Sequence, residues 1–186
     1  VVEQELIRNL TEVLEPLGAK REPGEQYRTP ELDVLLYWTR GARLSRVPFF
    51  GRLTSIVALV REPSDLTDGQ HPERAIGRVC QAANSRFPPI VAGRGLAACA
   101  TVVLVTSGAI SVDEEARLDR ALARSTPRQR VWPMGVFRVD LERECLSFAI
   151  RRVAGPDDVA PEPSLLAERL SGVLRRYAPP LSLGPG

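Results

Sequence analysis

TSIVALV, residues 54–60, and CATVVLVT, residues 99–106, decide the fold. Each is a short apolar run, rich in β-branched residues, with no polar alternation. A strand with one wet face alternates apolar and polar side chains. A strand covered on both faces has no need to. Both runs are therefore expected to be inner strands of a sheet with helices on each face. A third run, LDVLLYW at residues 32–38, turns apolar behind the acids Glu31 and Asp33.

Helical patterns flank these runs. Leu6, Leu10, Val13, Leu14 and Leu17 share one face of a helix expected over residues 2–17, with Gly18 as its C-cap. A short strand is expected near residues 19–22, and Pro23-Gly24 marks a turn. Residues 72–85 form a second helix. Pro72 stands at its start, where a missing N–H costs nothing. Ser111 and Glu114 have the spacing of a capping box at the head of a third helix that runs to about residue 123. Residues 134–140 and 145–151 are expected to pair as a hairpin, the second strand being an edge with one solvated face. GPDDVAPEP is a linker, and residues 166–177 close the chain with an amphipathic helix. The expected fold is α/β: one domain over residues 1–178 with a mixed five- to six-stranded sheet flanked by helices, and a flexible tail at residues 179–186.

The 186 residues suit one domain. No apolar run is long enough to span a membrane, and the N-terminus lacks the pattern of a signal peptide. The first residue is not Met, which leaves a removed leader open. Formal net charge is +2, without the clustered excess of a dedicated nucleic-acid binder. Nucleic acid is thus not indicated by charge, no membrane partner is expected, and a protein is the expected partner. Cys80, Cys99 and Cys145 are widely spaced and form no CxxC, which fits a reducing, cytoplasmic setting. His71 is the only histidine, so no two-histidine metal or catalytic scheme exists. No cofactor and no metal are expected.

GRGLA at residues 93–97 lacks the GxGxxG spacing, and no GxxxxGK[ST] occurs. TSGAIS, residues 106–111, joins a strand to a helix, but its single glycine favours a capped turn over a phosphate loop. No GxSxG elbow is present, and neither Cys80 nor any serine stands beside a base.

Carboxylates offer more. Metal-dependent phosphodiester cleavage needs hard oxygen ligands and a nearby cation. ELDVLL places an acid on one strand, TSIVALVRE supplies the next, a helix and VVLVTSGAIS follow, then another helix and VWPMGVFRVDL. Over roughly residues 2–140 this order resembles the restriction-endonuclease-like superfamily, written PD-(D/E)xK. There an acid begins one strand, and a second acid and a lysine lie two positions apart on the next. The resemblance implies a site at Asp33, with Arg61 where the lysine would be. The second acid then falls on Leu59, which cannot bind Mg²⁺. Glu62 adjoins Arg61 but points to the other face of a continued strand. The implied site is degenerate, and the candidate catalytic residues are Asp33, Arg61 and Glu62.

The alternative for Glu31 and Asp33 is structural: strand-entry acids paired with Arg61 or Arg40. RGARLSRVPFFGR, residues 40–52, is expected to be a long connection or an extended excursion. Arg46, Phe49 and Phe50 are its candidate binding residues if exposed, and loop anchors if buried. Arg169, Arg175 and Arg176 are expected on the outer face of the last helix. The leading expectation is a non-enzymatic interaction or structural module. The alternative is a metal-dependent nuclease, or a degenerate, nucleic-acid-binding relative of one.

Overall fold

Residues 54–60 and 99–106 lie on inner strands of the sheet. The computed structural model describes residues 3–27, 33–43, 52–61, 71–86, 98–106, 110–111, 113–124, 131–151 and 160–176. In chain order its elements are α1 (Glu3–Leu14), β1 (Lys20–Pro23), β2 (Asp33–Arg43), β3 (Arg52–Arg61), α2 (His71–Arg86), β4 (Ala98–Thr106), α3 (Glu114–Arg124), β5 (Val131–Asp140), β6 (Cys145–Ile150), α4 (Glu162–Val173) and β7 (Arg175–Arg176). All the strands belong to one sheet, ordered as in the sequence. β1, β2 and β3 form an antiparallel meander. β3, β4 and β5 are parallel, and β6 returns antiparallel to β5. The expected mixed sheet is present as six strands, with the two-residue β7 added beside β6.

The connections explain the layers. A crossover between parallel strands is right-handed, so α2 and α3, which carry the chain the same way across the sheet, share a face. β6 points the other way, so the crossover through α4 to β7 lies on the opposite face. Two cores result. Ile76, Val79, Ala83, Leu118 and Leu122 of α2 and α3 cover Ile56, Ala58, Val60, Val102 and Leu104. Leu6, Leu10, Leu14, Leu166 and Leu170 of α1 and α4 cover Val57, Leu59, Val103, Phe137 and Val139. Alternate residues of β3 and β4 thus enter different cores, which is why neither strand alternates in polarity.

Local chemistry sets the boundaries. Pro16 has no N–H for the helical ladder, and α1 passes into a single 3-10 turn at Glu15–Leu17. Gly18, at φ 83°, then ends it with its N–H on the Glu15 carbonyl, as its C-cap role requires. β2 carries a bulge: Val34 lies opposite Val60 and Leu36 opposite Leu59, leaving Leu35 extra. Leu35 and Leu36 both pack toward the α1 core as a result. Gly24 backs directly onto this bulge. A Cβ there would lie 2.0 Å from the Val34 carbonyl oxygen.

Several expectations need correction. The segment expected as a connection over residues 40–52 is strand at its two ends, since β2 runs to Arg43 and β3 starts at Arg52; residues 44–51 lie outside the described residues. Cross-strand hydrogen bonding overrides the loop-like glycine and arginine content. β6 is not half-solvated, because α3 and α4 pack on it from opposite sides. The last helix stops at Val173. Arg175 and Arg176 lie on β7 instead of a helical face. GPDDVAPEP is only partly linker, since Glu162 and Pro163 open α4, where proline is tolerated. Ser111 and Glu114 do meet, but the Glu114 N–H donates to the Ser111 carbonyl and the Ser111 hydroxyl donates to the Glu114 carboxylate. The tail at residues 179–186 lies outside the described residues. No helix among the described residues is long and apolar enough to cross a membrane.

Gly24→Ala is expected to destabilise by about 2 kcal/mol or more, since backbone rather than a movable side chain meets the methyl. Gly77→Ala in α2 and Gly172→Ala in α4 meet nothing within 4 Å and should stabilise by roughly 0.5–1 kcal/mol. Urea unfolding of the three variants checks the opposite signs.

Candidate functional site

In open α/β sheets ligands bind beyond the carboxyl ends of the parallel strands. Here that rim is formed by Arg61 of β3, Thr106 of β4, and Arg138 and Asp140 of β5. Asp33 joins it because β2 runs antiparallel and starts where β3 ends, so that Asp33 and Arg61 are register partners.

The Asp33 site is built by three elements. Arg61 donates from Nη1 to Asp33 Oδ2 at 3.3 Å and from Nη2 to Glu3 Oε2 at 2.9 Å. Glu3 comes from the first turn of α1, which packs on the same face of the sheet. The guanidinium therefore sits between two carboxylates. Its pKa is raised above the ordinary arginine value, first by the hydrogen bond to Glu3; burial opposes this, and the charges of Glu3 and Asp33 add to the rise. The cluster is open to solvent, Asp33 being 31% and Arg61 49% exposed. Leu59 lies two residues before Arg61 on the same strand face. It is 0% exposed, packed among the apolar side chains of α1 and α4.

Asp33 and Arg61 are thus brought together, as the structural alternative anticipated. Arg40 is not part of the pair. Glu31, Glu62, Arg46, Phe49 and Phe50 lie outside the described residues. Glu3 was missed, because nothing local in VVEQELIRNL connects it to a residue 58 positions away. Among the described residues no group of three His, Cys, Asp or Glu side chains is placed to hold a metal ion.

A second polar cluster lies at the same rim, on the other face. Glu114, at the head of α3, is 1% exposed. Its Oε2 accepts from Arg138 at 3.0 Å, from Ser111 at 3.3 Å and from Arg117 at 3.5 Å. Arg138 also donates to the Thr106 hydroxyl. A helix N-terminus beside arginines is a natural anion site. Here a side-chain carboxylate of the same chain fills it. Of TSGAIS, residues 107–109 lie outside the described residues, so the expected capped turn is described only at Thr106, Ile110 and Ser111. Asp140, 0% exposed, is committed to the β5–β6 turn, accepting from the backbone N–H groups of Glu142 and Arg143 and from the Arg143 side chain.

At the opposite end of the sheet Arg40 donates to Glu162 at 2.6 Å. This pair is nearly dry: Arg40 is 14% and Glu162 1% exposed. It clamps the start of α4 onto β2, and beside it Pro163 lies 3.2 Å from where a Gly135 Cβ would be. Cys99 neighbours the pair. Burial pushes its thiol up to about 11, against a hydrogen bond with Ser55 that lowers it. A thiol so protonated is a poor nucleophile.

Comparison of the chain with protein-family models, with curated proteins and with solved structures gave no match.

The two ion pairs should differ sharply on mutation. Asp33→Asn is expected to cost about 1 kcal/mol or less, because the group is exposed and screened. Arg40→Ala leaves Glu162 buried and uncompensated, and should cost about 3–5 kcal/mol. Chemical denaturation of both variants distinguishes them. Cys99 predicts a pH effect. Above its ordinary value of 9.0 the unfolded thiol loses its proton while the folded one keeps it up to about 11. Stability conferred below pH 9 is therefore lost as pH rises from 9 to about 11, by about 2–3 kcal/mol. Stability measured against pH should fall less steeply in this window for Cys99→Ala than for the parent.

Proposed function

We propose that this chain is a non-enzymatic interaction module of the cytoplasm, built on a framework of the restriction-endonuclease-like kind. The observation that carries the reading is the Arg61 guanidinium between Asp33 and Glu3. The two carboxylates bind different nitrogens of one guanidinium, so a side chain of the chain itself supplies the positive charge between them. Leu59, at the position of the second acid, is buried in the core and contributes no ligand. Arginine also holds its proton too firmly to act as a general base.

Further observations support the reading. The order α1, β1, β2, β3, α2, β4 matches the element order on which the resemblance rests. The anion position at α3 is filled by Glu114. All three cysteines are free, which agrees with a reducing compartment. The second reading, a degenerate relative that still binds nucleic acid, draws on the same element order.

The test is a supercoiled and linear DNA cleavage assay with Mg²⁺ and Mn²⁺, run with calorimetric titration of each ion. No cleavage and no stoichiometric ion binding are expected. Cleavage that requires the ion and disappears in Asp33→Asn would overturn the proposal.

A further inference from the structure

Helix α4 lies on the sheet through Leu166, Ala167, Leu170 and Leu174. Its other side carries Ser164, Leu165, Glu168, Arg169, Gly172 and Val173, all of them exposed. Leu165 and Val173 are the exposed large hydrophobic side chains among the described residues, and both lie on this one face. Single exposed apolar residues scattered over a surface need no explanation. Two on the same helix face are not scattered.

Three observations say what fits it. First, the face is its own complement. A helix turns by about 100° per residue, so the point midway between Glu168 and Arg169 is a local two-fold axis of this face. A second α4 laid antiparallel across that point brings Glu168 opposite Arg169 of the other copy. It also brings Leu165 opposite Gly172, and Val173 opposite Ser164. Opposite charges meet, and each larger apolar side chain meets a small residue. Second, Arg169 is already set in place. Asn9 and Glu12 of α1 hold its guanidinium, yet the side chain stays 43% exposed. A further carboxylate can meet it without ordering a free side chain. Third, Gly172 is exposed and has nothing within 4 Å of where a Cβ would be. Its φ is not in the left-handed region. Glycine weakens a helix, and nothing within the chain calls for it here. A missing side chain does let another element approach the backbone closely.

We propose that two copies of this chain pair through the outer face of α4, antiparallel and about a two-fold axis between Glu168 and Arg169. Each Leu165 sits on Gly172 of the other copy, and two Glu168–Arg169 pairs lie between these contacts. Exposed Arg8 and Glu12 of α1, which packs beside α4, supply a rim of both signs. One helix pair covers less area than a standard stable interface. The dimer is therefore a weak one, with Kd of about 1 μM or above. The pairing goes beyond the reading of the Asp33 cluster and does not depend on it.

Sedimentation equilibrium of the full chain, from about 1 μM to about 1 mM, tests the pairing. The mass should rise toward twice that of one chain. Gly172→Gln puts a side chain where Leu165 of the other copy sits, and Glu168→Arg sets like charges against Arg169. Each should weaken dimerisation about tenfold or more. Gly77→Ala, on α2, is the control and should leave dimerisation unchanged. In dilute solution Gly172→Gln should melt no lower than the parent, so that lost pairing is not lost fold. If it melts lower, Glu168→Arg decides alone. A single-chain mass at every concentration overturns the proposal. So does a dimer that a folded Gly172→Gln or Glu168→Arg variant forms as strongly as the parent.

Discussion

Strand β4 has no exposed residue along its nine positions. That single constraint organises the molecule. A strand buried on both faces must lie inside a sheet with a layer on each side, and its neighbours must bring those layers. The crossovers through α2 and α3 supply one layer. The other has to come from elements outside the parallel unit, and it does, from α1 at the start of the chain and α4 near its end. The α1–α4 layer is held by contacts distant in sequence: Arg169 of α4 donates to Asn9 and pairs with Glu12 of α1. Arg40 of β2 meanwhile fixes Glu162 at the head of α4.

A consequence appears at the rim of the sheet. Strand ends leave the core there, and polar groups collect. Among the described residues the rim charges of Asp33, Arg61, Arg138 and Asp140 are matched internally. A cation lies between Asp33 and Glu3, and an anion lies between Ser111, Arg117 and Arg138. The two clusters sit on opposite faces, and in each a side chain of the chain itself is held by groups of opposite charge. The buried cluster contributes to the fold. The exposed one, around Arg61, contributes little to stability.

The fold was legible because burial on two faces leaves a mark in composition. TSIVALV and CATVVLVT have no polar alternation, and Gly18 and Pro72 mark helix ends by local rules. The strand extension to Arg43 and from Arg52 was not legible. Glycine and arginine there carry no strand signal, and the pairing comes from register set farther down β2 and β3. The end of the last helix was missed for a related reason. Leu174 and Arg175 continue a helical pattern, but β6 offers hydrogen bonds that draw residues 175–176 into the sheet. Within the candidate site, the Asp33–Arg61 pair could be anticipated from strand order. Glu3 and the Arg40–Glu162 pair could not, since they join residues 58 and 122 positions apart.

Crystals soaked in Mn²⁺ and measured for anomalous scattering test the internal neutralisation of the rim most directly. If Arg61 stands in for a metal ion, the map shows guanidinium density between Asp33 and Glu3 and no anomalous peak there. A peak bridging the two carboxylates, with Arg61 turned away, would contradict it.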